Sequence, residues 1–243
     1  MAAKNVFTNI KYEQDPRWVA VDDYTFSNLH PSTRPNTEAL RHALVNARDQ
    51  GLPDIATNPM QGKFISLQCR LVGAKHALEV GTLGGYGSIW LATENPGLHI
   101  TTIEMDPKRA EVARKNIAFA GVGDRVEVIV GVALEVLLKL EAEIQEGTRE
   151  PFGFTYIDAD ASNNWAYFDL AAKMSNVGAC ICVDNVVCQG KLVAEEFRNN
   201  PRVQGIRKVV EEVGKDTRVD AVVIQTVGEK DYDGFLMAMV VSK

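Results

Sequence analysis

The sequence predicts an α/β fold: a mostly parallel sheet with helices on both faces. Three observations carry it. From Ala77 onward, short apolar runs alternate with amphipathic helical stretches. A glycine cluster follows the first of those runs. The chain then closes on two apolar runs near the turn signal DYDG, close enough to be antiparallel neighbours.

The elements read in order as follows. Residues 1–34 are mixed and polar, with Trp18, Tyr24 and Phe26 as expected anchors. Thr37 to Gln50 has helical spacing in Ala39, Leu40, Ala43, Leu44 and Ala47, stopped by Gly51 and Pro53. Asn58-Pro59 is an N-cap followed by Pro at the first helical position, opening a helix to about Val72. HALEV is the first strand, GYGSIWLAT a helix, HITTIE a strand, and Pro107 to Ala120 a helix closed by Gly121. RVEVIV, FGFTYID and ACICVD are strands; ALEVLLKLEAEI and NWAYFDLAAKM are the helices between them. Arg202 to Val213 is helical, and VDAVVIQTV and GFLMAMVV are the last strands. Residues 1–243 are expected to form one domain, with 1–75 a helical extension and 76–243 the sheet-bearing core.

Composition removes several function classes. The 243 residues are 46% hydrophobic and 24% charged, enough for a sizeable core. The 26 basic and 32 acidic side chains leave a net charge of -6, which argues against a nucleic-acid or anionic-lipid binder. No apolar run reaches the roughly 18 residues of a membrane span. Cys69, Cys180, Cys182 and Cys188 lack zinc-site spacing, and the four histidines form no ligand pair. All four cysteines are expected to be reduced and buried; Cys180 and Cys182 share one strand face at roughly 6–7 Å, too far for an easy disulfide. The N-terminus has no h-region and no Arg-rich amphipathic stretch, so a cytoplasmic location is expected. Lys4 and Lys11 without an early acid leave a mitochondrial address open.

Two constellations carry chemistry. The first strand runs into Glu79-Val80-Gly81-Thr82-Leu83-Gly84-Gly85-Tyr86-Gly87, where glycines let a ligand approach the backbone. The second strand ends in Glu104, 23 residues after Gly81, placed to accept ribose hydroxyls of an adenosine cofactor. The dinucleotide fingerprint GxGxxG fails, because position 83 is Leu. Glu79 would oppose a pyrophosphate but suits a cofactor with an ammonium and a sulfonium, which favours S-adenosylmethionine over NAD. The fourth strand ends in Asp158-Ala159-Asp160 and the fifth in Asp184-Asn185. Asp158, Asp184 and Asn185 would converge as hard oxygen donors for Mg²⁺, Mn²⁺ or Ca²⁺.

Taken together, LEVGTLGGYGSIWLA, TTIEMDPKRAEVARKNI, GVALEVL, YIDAD and VDNVV, in that order, resemble the cation-dependent O-methyltransferases, the family of caffeoyl-CoA and catechol O-methyltransferases. The likeness runs from about residue 35 to the C-terminus. It implies a class I, Rossmann-like methyltransferase fold with an antiparallel final strand, and a homodimer. It implies methyl transfer from S-adenosylmethionine to one hydroxyl of a small aromatic vicinal diol, with Mg²⁺ the first choice of cation. By resemblance Glu79, Gly81 and Thr82 line the methionine part of the cofactor, joined by Ser88 or the backbone at Gly87; Tyr86 lies in the same cofactor-binding turn, and Glu104 meets the ribose. Ala133 meets the adenine, and Thr57 lies in the segment ahead of the first sheet strand. Where relatives often have Ser, this chain has Gly87. Asp158, Asp184 and Asn185 match the metal ligands, with Asp158 also the catalytic residue facing substrate, and Gln189 falls at a substrate-contacting position.

One departure bears on mechanism. The family's usual run is Asp-Ala-Asp-Lys, whose Lys deprotonates the acceptor; this chain has Asp158-Ala159-Asp160-Ala161. Metal acidification of the hydroxyl is one replacement; Lys63 in QGKF is another, set against its plainer reading as an exposed helix lysine. A weakly active or inactive binder of donor and metal is the alternative reading. Trp165 is expected to pack on the sheet rather than stack on an acceptor ring. An acidic chain without a phosphate-binding cluster argues for a flavonoid or small catechol over a CoA thioester.

Overall fold

The computed structural model describes residues 15–243. Lys4 and Lys11, on which the mitochondrial reading rests, lie outside the described residues. The elements in chain order are α1 (Pro16–Leu29), α2 (Thr37–Asp49), α3 (Pro59–Leu71), β1 (His76–Val80), α4 (Tyr86–Glu94), β2 (His99–Glu104), α5 (Pro107–Phe119), β3 (Val126–Val130), α6 (Ala133–Gln145), β4 (Phe152–Ile157), α7 (Asn164–Met174), β5 (Ser175–Val183), α8 (Pro201–Val213), β6 (Val219–Val227) and β7 (Tyr232–Val240).

Four helices start the same way, and the chemistry explains why. Asp15-Pro16, Asn58-Pro59, Asp106-Pro107 and Asn200-Pro201 each place an Asx side chain where it accepts from backbone N–H groups of the first turn. The proline that follows is pre-set to helical φ and lacks only a donor that would have gone unpaired. Asp106 accepts from the amides of Lys108 (2.8 Å) and Arg109 (3.3 Å).

The seven strands form one sheet in the order β3-β2-β1-β4-β5-β7-β6. β1 pairs in parallel with β2 and β4, β2 with β3, and β4 with β5. β7 enters antiparallel between β5 and β6. The expected fold class therefore holds, including its antiparallel C-terminal strand. Strand alternation splits the core. Leu78, Val80, Ile103 and Ile157 bury with α6, α7 and α8 on one face. Ala77, Ile100, Phe154 and Tyr156 bury with Leu40, Ile65 and Trp90 on the other. The chain leaves β1 outward to β2 and β3, then returns to β4. The gap beyond the carboxyl ends of β1 and β4 is thus the switch point where open α/β sheets bind ligands.

Three expectations need correction. Residues 16–29 are helical, but not all of their expected anchors are buried. α1 buries no residue, so it leaves no apolar stripe to read. Of its expected anchors Tyr24 is 72% exposed, while Phe26 stacks on His30 at 5.0 Å. The final turn shares only Asp231 with DYDG: Gly228 N donates to Asp231 O, and Tyr232, Asp233 and Gly234 already belong to β7. Lys63 donates to Glu94 at 2.5 Å. Glu94 ends α4, a full helix length from the glycine turn that starts it, so Lys63 is no replacement for the amine absent at 161.

The cysteines are free and buried as expected, with Cys180 and Cys182 Sγ atoms 3.8 Å apart, well beyond a bonded pair. Trp165 lies half-buried against the core and stacks on Phe168 at 6.1 Å, the packing role expected of it. Among the described residues no helix is long and apolar enough to cross a membrane.

Candidate functional site

β1 delivers Glu79 and Gly81 to the switch point. Glu79 is buried and accepts from the Thr102 hydroxyl of β2 (2.6 Å) and from the Ser88 hydroxyl of α4. Burial pushes its carboxyl up to about 7 against those two hydrogen bonds. A Cβ at Gly87 would stand 2.2 Å from Glu79 Oε1, so Gly87 leaves the room in which this carboxylate sits. Ser88 is fully buried and acts on the site through Glu79. Thr82 is likewise turned inward, 2.6 Å from the Thr102 hydroxyl, which leaves its backbone to the turn. Tyr86 is buried edge-on to Trp90.

The sign of the Glu79 shift makes a prediction. Between about pH 4.5 and about 7 the folded chain keeps a proton here that the unfolded chain has lost. This stabilisation is full below about pH 4.5 and lost as pH rises through about 7. Without ligands, Glu79→Gln should flatten the decline of melting temperature over that window. An unchanged pH profile in the variant would refute the assignment.

The glycine turn is held in shape from β2 and α5. Glu104 accepts from Leu83 N at 2.9 Å and Asp106 N at 3.0 Å, one oxygen each. Leu83 sits at φ 49, a left-handed conformation that leucine adopts only where its surroundings impose it. Asn116, buried in α5, donates to Gly84 O at 2.8 Å and accepts from Asn46 of α2 at 2.7 Å. Sequence reading missed Asn116, because a polar residue within a helical pattern carries no signal of what it braces. Ala133 opens α6 beyond β3, and Thr57 precedes α3. The side chains and turns singled out in the sequence thus gather at the carboxyl edge of the sheet.

The acidic half lies beside them. β4 and β5 run in parallel, and Asp184 N donates to Ile157 O at 2.9 Å, so Asp158 and Asp184 emerge from neighbouring strand ends. Asp184 accepts from the Tyr156 hydroxyl (2.6 Å) and from Asn185 N (2.7 Å). Thr57 Oγ1 lies 3.2 Å from that tyrosine hydroxyl. Burial holds the Asp158 carboxyl well above the carboxylate range, and the nearby Asp184 charge adds to it. Burial also raises Asp184, against its hydrogen bonds. Tyr156 is raised too, by burial and then by both aspartates.

Asp233 of β7 is the second residue the sequence did not disclose. Its Oδ1 accepts from Val187 N (3.1 Å), Cys188 N (2.7 Å) and Gly234 N (2.9 Å), and its Oδ2 from Asn185 Nδ2 (3.3 Å). Asn185, Cys188 and Gln189 all have left-handed φ, at 58, 51 and 57°. One carboxylate therefore braces a strained loop that presents Asn185. Asp233→Ala would orphan these amides and should cost about 2–4 kcal/mol of unfolding free energy. A loss under about 1 kcal/mol in denaturant titration would show the loop holds itself. Gln189 accepts from Lys191 Nζ at 2.8 Å.

A divalent cation fits these residues. Two carboxylates crowd together at strand ends, with no lysine or arginine in ion-pair contact with either among the described residues. The three donors are hard oxygens, which suit Mg²⁺, Mn²⁺ or Ca²⁺. The described residues contain no cluster of three or more His, Cys, Asp and Glu side chains fit to hold a metal.

Residues 32–238 match the family model described as O-methyltransferase. An O-methyltransferase of Aspergillus flavus is 56% identical over 97% of this chain and 96% of its own length. A catechol O-methyltransferase of Mycobacterium tuberculosis is 42% identical over 94% of this chain and 98% of its own. The crystal structure of an O-methyltransferase from Bacillus cereus in complex with SAH superposes with a TM-score of 0.85 at 44% identity, covering 92% of this chain and 98% of that one. TomG from Streptomyces achromogenes, an O-methyltransferase solved with SAM, also gives 0.85, at 39% identity over 95% of this chain and all of its own.

Proposed function

Because the chain belongs to the O-methyltransferase family and is an S-adenosylmethionine-dependent enzyme, we propose that its acceptor is a small catechol-type diol and that a divalent cation assists the transfer. The observation that carries this reading is the crowded pair Asp158 and Asp184, beside the glycine turn at the switch point. A relative that is 42% identical bears the name catechol O-methyltransferase, which supports the acceptor class.

Each residue then has a task. The glycine turn and Gly81 admit the donor's methionine part, and Glu79 faces its ammonium. Glu104, with both oxygens already on backbone amides, has lone pairs left for the ribose hydroxyls. The backbone at Ala133 borders the adenine. Asp158, Asp184 and Asn185 would hold the cation, with Asp158 nearest the acceptor. A bound cation supplies acidification of the acceptor hydroxyl and fixes its direction. The hydroxyl proton leaves to water; the oxygen lone pair forms the new O–CH₃ bond, and the S–CH₃ electron pair returns to sulfur. Because a cationic sulfonium and an anionic oxygen neutralise each other, enclosure by the protein favours the step. A homodimer is the expected assembly.

The test is methyl transfer to catechol, caffeate and a flavonol, followed by mass, with the enzyme as purified and after chelation with dialysis. Loss on chelation, with recovery on added Mg²⁺, is the expected result. Equal rates before and after chelation would remove the cation from the reading, and no product from any acceptor would remove the diol. Donor binding gives a separate check. With Glu79 protonated below about pH 7, affinity for S-adenosylmethionine should rise as pH passes upward through that value. Calorimetry should find this rise in the parent and not in Glu79→Gln.

A further inference from the structure

No amine reaches the acid pair from position 161. Ala161 is 9% exposed, and α8 rides directly on its carbonyl, since a Cβ at Gly205 would stand 2.1 Å from Ala161 O. The structure brings an amine from the opposite end of the chain. The turn between β6 and β7 lies against α1 and the cap of α3. Glu229 N donates to Asp22 Oδ2 at 2.9 Å, and a Cβ at Gly228 would come within 2.8 Å of that oxygen and 3.6 Å of Asn58 Nδ2. From this turn Lys230 extends to the carbonyl of Ala56. Ala56 adjoins Thr57, and Thr57, Tyr156 and Asp184 form a contiguous run of contacts of 3.2 Å and 2.6 Å. The Lys230 charge draws down the carboxyls of both Asp158 and Asp184. Lys230 is held by a neutral carbonyl rather than by a carboxylate, a weaker tether that an anion can replace.

We propose that Lys230 adds a second positive charge to the acceptor pocket, besides the divalent cation: its ammonium leaves the Ala56 carbonyl and hydrogen-bonds the ionised acceptor oxygen beside Asp158 and Asp184. The proposal rests on the diol reading above. Lys230 gives up no proton; it acts as a positive charge that favours the ionised acceptor and fixes its direction, and the hydroxyl proton goes to water. The Asp22 contact that anchors the turn gives α1 a part in the site, although α1 buries none of its own residues.

The experiment compares the parent enzyme with Lys230→Met and Lys230→Arg, using nitrocatechol as the probe because its ionisation changes its absorbance. The Met variant should raise the ionisation midpoint of enzyme-bound nitrocatechol by about one pH unit or more. It should lower kcat for catechol by roughly tenfold or more. Affinity for S-adenosylmethionine should stay within about twofold of the parent, and Arg should restore most of both effects. A bound midpoint and kcat unchanged in the Met variant would overturn the proposal while leaving the diol reading intact. So would equal losses of donor affinity and melting temperature that Arg does not restore, since Lys230 would then only peg the turn to Ala56. A parent enzyme that methylates none of the diols would instead sink the reading itself.

Discussion

Asp184→Asn should lower methyl transfer to catechol by roughly two orders of magnitude or more while leaving the fold intact. The side chain follows β5, one strand from Asp158, and its charge is among the causes that raise the Asp158 carboxyl. Removing it deprives a cation of one of two charged donors. It also relieves a like-charge repulsion, so the melting temperature in chelator should hold or rise. These opposite signs separate a functional role from a structural one. A variant that loses activity and stability together would show that Asp184 serves mainly as the acceptor for Tyr156. A fully active variant would show that the acid pair holds no cation used in the reaction.

Gly81→Ala should be the most damaging single-methyl change in the site. At φ 104 alanine is strained, and its Cβ would fall 2.1 Å from Asp158 O, a backbone atom that cannot swing aside. Strain and displacement together should cost about 3 kcal/mol, a fall in melting temperature of roughly 6–12 °C for a chain of this size. Donor affinity should fall with it, because the same methyl pushes β1 and β4 apart at the switch point. Gly147→Ala is the control: φ is 72, but nothing lies within 4 Å of the added carbon. Its cost should be about 1 kcal/mol, with donor binding unchanged. Equal losses at the two positions would mean that backbone strain alone, and not the approach of Asp158, makes Gly81 necessary.

Much of this molecule can be read along the chain because its signals are local. Asn58-Pro59 starts a helix by chemistry confined to a few atoms, and an Asn-Pro or Asp-Pro pair does the same at three other helix starts. Glu79, Glu104, Asp158 and Asp184 stand where strands end, and in a parallel sheet strand ends share one edge. Their gathering follows from strand order alone. What stayed hidden depends on neighbours distant in sequence. α1 shows no stripe because it buries no residue, and its link to the site is Asp22 on the amide of Glu229, 207 residues away. Asn116 and Asp233 look like ordinary polar residues until the amides they serve are seen. Lys63, a candidate by proximity to the first strand, points to Glu94 instead.

The sequence by itself determined the layered α/β architecture, the glycine turn with its paired acid, and the two aspartates, because periodicity, capping and spacing act within a few residues. Tertiary structure alone decided which groups brace that edge and that Lys230 reaches the carbonyl of Ala56. Those choices come from contacts between segments dozens to hundreds of residues apart, where burial turns a side chain toward one partner and away from others.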